Sequence, residues 1–199
     1  MSRIHSQADQ LIPPHLIGLT HVTHEEFEEL CVQYPELQLE LTSSGELIVM
    51  PPTGWETGSR NFYLTGQFAT WARNDGSGVG FDSSTAFILP NGAIRAPDIS
   101  WIKREKLGNV TASPKRGFAS ICPDFVVELR SHTDRLPTLL NKMEEYMENG
   151  ALLGWLIDPK RRRVYVYRVG EDMVVLEDPT VVSGDPLLPG FELRMEEIW

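Results

Sequence analysis

Cysteine is scarce in this chain of 199 residues: Cys31 and Cys122 stand far apart, with no CxxC spacing. That excludes a zinc ribbon and a disulfide framework, and makes a reducing, cytoplasmic compartment the expectation. Long apolar runs are also missing, and no stretch approaches the roughly 18 residues of a membrane span. The opening MSRIHSQADQLIPPHLIG lacks the apolar centre and small-residue cleavage site of a secretory signal, so residues 1–20 read as a loose arm. Positive charge is in short supply. Against 28 Asp and Glu there are 18 Lys and Arg, a formal net charge of −10, which argues against binding DNA chiefly by broad phosphate attraction. Any nucleic-acid site must then be a local basic groove or be supplied with metal ions.

What is present suits one globular unit. An apolar fraction of 41% in 199 residues fills one sizeable core, so residues 21–199 are expected to form a single domain. In HVTHEEFEELCVQYP, Thr23 and Glu26 have the spacing of a capping box and Pro35 ends the helix. LQLEL and ELIVMP flank TSSG as a hairpin, and TGSRNFYLTGQFATWARN carries apolar residues mostly at helical spacing. Strands are expected in GFDSSTAFIL, AIRAPDISWI and DFVVEL, with a polar loop from Lys103 to Ser120 before the last. LPTLLNKMEEYMENG is the clearest helix, with Pro137 in its first turn and Gly150 at its end; LLGWLID, RRVYVYR and MVVLED read as three more strands. This order predicts an α/β fold, a mixed sheet with helices against it.

The chemistry is concentrated where charge interrupts apolar pattern. In DFVVELRS, strand alternation puts Phe125, Val127 and Leu129 on one face and Asp124, Val126, Glu128 and Arg130 on the other. Either that face is open, or Glu128 is held by Arg130 or another base, or the charges serve a site. Asp98 is the only acid in AIRAPDISWI, beside Pro97, which suggests an edge or a bulge; an exposed aspartate is the competing explanation. Two acids on neighbouring strands are also the minimum for holding a divalent ion through hard oxygen ligands. Lys142 lies beside Leu139 and Tyr146 at the margin of its helix's apolar stripe, where its stem can follow the core and carry the ammonium to the sheet.

Other polar residues point less far. His21 and His24 have no third ligand in view and read as a solvated helix start. Trp101, Trp155 and Tyr165 read as core or interface aromatics. Lys160, Arg161, Arg162 and Arg163 form the densest basic run, at a hairpin turn: a solvated tip, or a phosphate contact offsetting the acidic total.

Together APDISWI, DFVVELRSHTD, LLNKMEEYMENGALLGWLIDP and RVYVYR resemble the Uma-two family of restriction-endonuclease-like proteins, abundant in cyanobacteria and placed in the PD-(D/E)XK nuclease superfamily; the likeness covers roughly residues 39–168. The resemblance implies a restriction-endonuclease-like core and metal-assisted hydrolysis of DNA, with RNA as the other substrate class. Asp98 and Glu128 would hold Mg²⁺, or Mn²⁺ in its place. The superfamily's usual lysine position, two after the glutamate, is Arg130 here, and the lysine role maps onto Lys142. A further acid sometimes completes such sites; Glu46 in SGELIVMP is the first candidate and Glu56 the second. A homodimer follows by analogy, since cutting a duplex takes two sites. The alternative is a catalytically silent binding or scaffold module in which Asp98, Glu128 and Lys142 form a structural polar cluster.

Overall fold

Two sheets share one chain that crosses between them beside the candidate acids. The computed structural model describes residues 12–108 and 117–199. From the N-terminus, α1 (His24–Gln33) precedes the hairpin β1 (Gln38–Leu41) and β2 (Leu47–Met50); then come α2 (Trp55–Asp75), β3 (Gly78–Asp82), β4 (Phe87–Ile88), β5 (Ile94–Arg95), β6 (Ile99–Lys103), the single turn α3 (Arg104–Leu107) and β7 (Ala119–Ser120). The second half runs β8 (Phe125–Leu129), α4 (Leu136–Glu148), β9 (Leu153–Asp158), β10 (Arg163–Arg168), β11 (Val174–Glu177), β12 (Val181–Ser183) and β13 (Glu192–Arg194). One sheet has the order β2-β1-β5-β4-β7, the other β11-β10-β9-β8-β6-β3, and β12 pairs with β13. Within the six-stranded sheet β8 and β9 are parallel, joined through α4, and the other pairs are antiparallel. This is the α/β architecture of helices on mixed sheet that the sequence predicts.

Local chemistry sets the boundaries. Thr23 Oγ1 accepts from Glu26 N–H while the Glu26 carboxylate accepts from Thr23 N–H, the capping box expected of α1. Two expected strands each divide. GFDSSTAFIL breaks where Asp82 Oδ1 accepts from Ser84 N–H at 3.0 Å and turns the chain. AIRAPDISWI breaks at Pro97, which has no N–H for a ladder, so the chain leaves the first sheet after Arg95 and enters the second at Ile99. The expected loose arm is corrected from residue 12 onward: Leu16 is fully buried with Phe27 and Leu41, and Leu47 N–H donates to Leu19 O at 2.9 Å. Pro13 and Pro14 cause this, opening a 3-10 turn that swings Leu16 inward; residues 1–11 lie outside the described residues, as does part of the expected Lys103–Ser120 loop.

Three apolar clusters hold the layers. Phe125, Val127, Leu129, Trp155 and Ile157 pack with Leu64 and Phe68 of α2 and with Phe191, Leu193 and Ile198 on one face of the large sheet. On the other face Ile102, Val126 and Leu156 meet Met143 and Tyr146 of α4, each large side chain contributing about 1.5–3 kcal/mol by leaving water. Gly154 permits that close approach, because a Cβ there would stand 2.5 Å from Met143 Cε. The third cluster seats α1 on the small sheet. Among the described residues no helix is long and apolar enough to cross a membrane.

Candidate active site

All five residues of β8 are buried, so its glutamate needs partners. Phe125, Val127 and Leu129 face the α2 side, leaving Glu128 to face α4. β6 lies antiparallel beside it with Ile99 opposite Val127 and Ser100 opposite Val126, and Asp98 stands in the bend that leads into β6. Its carboxylate reaches the end of β8 beside Glu128. Asp98 Oδ2 accepts from Leu129 N–H at 2.7 Å and its Oδ1 accepts from Asn61 Nδ2 of α2 at 3.1 Å.

Lys142 of α4 reaches this face with its stem along the core. Its Nζ lies 2.8 Å from Glu128 Oε1 and 2.8 Å from Glu40 Oε1, and one turn on Tyr146 OH donates to Glu128 Oε1 at 3.0 Å. Glu40 comes from β1 of the other sheet, is buried, and accepts also from Ala96 N–H at 2.9 Å and from Arg95 Nη1 at 3.1 Å. Arg95 Nε donates in turn to Glu145 Oε2 at 2.6 Å. The cluster thus bolts the two sheets together through α4.

Negative charge exceeds positive charge here, and proton affinities follow. Burial, with Asp134 and Glu40 nearby, pushes Asp98 up to about 6 against the pull of Leu129 N–H and Lys142. Burial pushes Glu128 up to about 8, helped by Asp98 and Glu40 and opposed by Lys142. Burial acts the same way on Glu40, yet Lys142, Arg95 and Ala96 N–H together hold its carboxyl below the usual range. Burial would lower the lysine, but Glu128 and Glu40 keep Lys142 above its ordinary value, so it remains a cation. Among the described residues no three Asp, Glu, His or Cys side chains are gathered tightly enough to hold an ion by themselves.

The remaining candidates lie elsewhere. Arg130 turns away from Glu128: Nη1 donates to Asp158 Oδ2 at 2.7 Å, and Nε and Nη2 donate to Asp134 O. Glu46 is exposed at the β1–β2 turn, where its N–H donates to Thr42 Oγ1 at 2.9 Å, and Glu56 is an exposed partner of Arg60 at 3.6 Å. The acid this hairpin sends inward is Glu40. Lys160 to Arg163 form the β9–β10 turn, where Arg161 faces Asp158 at 3.7 Å, Arg162 faces Asp178 at 2.5 Å and Arg163 faces Glu177 at 2.8 Å. Trp101, Trp155 and Tyr165 are buried, and His24 opens α1 with Nε2 2.8 Å from Gly92 O. Glu40, Arg95 and Asn61 escaped sequence reasoning; the signal for the first two was Arg95 itself, a cation inside the apolar run AIRAP that required an acid.

The sequence profile of the Uma2 family, described as "Putative restriction endonuclease", matches residues 24–196. The chain belongs to the Uma2 family. That match spans α1 to β13 and includes Glu40, Asp98, Glu128 and Lys142. No curated protein matches the chain. Among solved structures this Uma2 protein is similar to one described as a "putative nuclease belonging to DUF820" from Anabaena variabilis ATCC 29413, with 19% identity, a TM-score of 0.71, and coverage of 89% of this chain and 97% of that one. At that identity the likeness establishes a shared fold.

Proposed function

We propose that this Uma2 protein is a PD-(D/E)XK-type endonuclease that hydrolyses DNA phosphodiester bonds with a metal-activated water. One observation carries the proposal: the Asp98 carboxylate accepts from Leu129 N–H, the residue next to Glu128, and the Lys142 ammonium of the following helix lies at hydrogen-bonding distance of Glu128. The donor set fits Mg²⁺, or Mn²⁺, which takes one or two carboxylates and keeps several waters. Asp98 and Glu128, both raised chiefly by burial, are the residues that would hold it. When bound, the ion supplies Lewis acidity toward a phosphoryl oxygen and a more acidic water.

The chain's own groups do the rest. Lys142 stays protonated and so acts as a fixed charge beside the developing phosphorane rather than as a base. Glu40 and Tyr146 hold that ammonium and the Glu128 carboxylate in register, and Leu129 N–H and Asn61 orient Asp98. Each site cuts one strand; on a duplex, two cuts call for a homodimer. The test is single-turnover cleavage of DNA and RNA panels by the wild type and Asp98→Asn, beside melting midpoints with and without Mg²⁺ or Mn²⁺. Cleavage and a metal-dependent rise in midpoint are expected in the wild type and absent from the variant. A wild type that cuts nothing and ignores metal is the silent scaffold.

A further inference from the structure

Aromatic side chains are distributed unevenly over this molecule. Among the described residues the exposed ones are Trp55 at 85%, Phe62 at 74% and Tyr63 at 42%, and all three lie on the N-terminal half of α2. The inward stripe of that helix is Leu64 and Phe68, so its burial is already provided for without them. Trp55 and Phe62 are seven residues apart, two turns along one face and about 10 Å in rise. Phe62 and Tyr63 stand edge to face with centroids 5.6 Å apart. No bulky side chain covers the gaps, since Gly58 and Gly66 have open space where a Cβ would be.

We infer that this face of α2 is a stacking platform for the bases of an unpaired nucleic-acid strand and leads that strand to Asp98. The inference rests on the nuclease reading and names its substrate class. Three observations select this occupant. Asn61, the residue before Phe62, donates to Asp98, so the platform lies on the same turn of α2 as a contact to the candidate site. The rings are exposed to water, and every base can stack on an aromatic ring whatever its sequence, whereas duplex bases are already stacked and hide their faces. Charge agrees: with a net charge of −10 the chain gathers phosphates poorly at long range, but beside Trp55 α2 begins at Gly54 with no capping side chain, presenting its positive end to a phosphate. Glu56 in that first turn is answered by Arg60. A second copy of the chain has a better surface elsewhere, on the edge strand β11, where Val174 and Val175 are exposed and aliphatic and one ladder edge is unused.

The test measures binding apart from cleavage, by anisotropy of a fluorescein-labelled mixed-sequence 15-mer in EDTA, with DNA and RNA forms and the blunt DNA duplex of the same sequence. The single strand is expected to bind at least about tenfold more tightly than the duplex. Trp55→Ala with Phe62→Ala should weaken it by about tenfold or more, at unchanged salt slope and melting midpoint, and Phe62→Trp should restore it. Equal binding by wild type and the double alanine variant, or preference for the duplex, overturns the platform. So does light scattering that finds a wild-type dimer made monomeric by Trp55→Ala, which would assign the face to a second copy. The two readings fail separately: ring-dependent binding without cleavage in Mg²⁺ leaves a binder that is no nuclease, while full cleavage by the double variant on single strands leaves a nuclease without a platform.

Discussion

The buried cluster around Lys142 and the basic tip between β9 and β10 use the same ingredients. Lys142 lies 2.8 Å from Glu128, and Arg163 lies 2.8 Å from Glu177. Surroundings make the difference. The lysine and its two glutamates are buried, whereas Arg161, Arg162 and Arg163 are flanked by water. An exposed pair contributes about 0–1 kcal/mol, while removing one partner of a buried pair strands the other's charge at about 3–5 kcal/mol. The tip has the higher density of charge in the sequence, yet Glu177 and Asp178, facing it across the next hairpin, consume much of it. Charge density marks a turn; charge inside an apolar pattern marks a buried cluster.

The largest test of that contrast is Lys142→Ala, expected to abolish cleavage and to lower unfolding free energy by about 3–5 kcal/mol in urea titration, because Glu128 and Glu40 lose their shared cation. A loss below about 1 kcal/mol would put the cluster on a par with the tip. Arg130→Ala should cost about 3 kcal/mol, since Asp158 is 0% exposed, but should leave cleavage well above that of Lys142→Ala because Arg130 is engaged with Asp158 and Asp134. An inactive, stable Arg130→Ala beside an active Lys142→Ala would reverse the two roles.

Acidity gives a smaller effect. Asp98 rises from 3.8 to about 6 and Glu128 from 4.5 to about 8 on folding. Carboxyls raised in this way bind protons more tightly in the folded chain, so their contribution to stability is complete below the unfolded values and is lost as pH climbs through the folded ones. Without metal the melting midpoint should therefore fall between pH 5 and pH 8.5 relative to Asp98→Asn and Glu128→Gln, which flatten the profile; a rise over that interval contradicts the burial that raises both carboxyls. Smallest of all, replacing Arg161, Arg162 and Arg163 by alanine should change stability by at most about 1 kcal/mol and leave the salt slope of nucleic-acid binding nearly unchanged. A slope reduced by roughly 0.9 for each lost arginine would make the tip a phosphate site after all.

Asp98 and Glu128 were legible because each interrupts an otherwise apolar run, and Lys142 because it stands at the margin of its helix's apolar stripe. Glu40 was not, because LQLEL alternates as an ordinary half-exposed strand should; what covers its second face is α4, and Glu40 meets Lys142 across 102 residues of sequence. Alternation reports which residues share a face and says nothing about what lies on the other side of it. Glu46 attracted attention for being near the right hairpin, six positions from the acid that turns inward. The long helices and strands were equally legible, whereas β7, β12 and β13, of two or three residues each, carry too little periodicity to announce themselves.

That span of 102 residues between Glu40 and Lys142 also sets a timetable. A chain made from its N-terminus has completed β1 and β2 long before the lysine exists, and until α4 closes over both sheets the three acids have only Arg95 among them. Non-local closures of this kind come late in folding. A half-made or truncated chain therefore carries the carboxylates without their cation, and the cluster can be assembled only once α4 has been made.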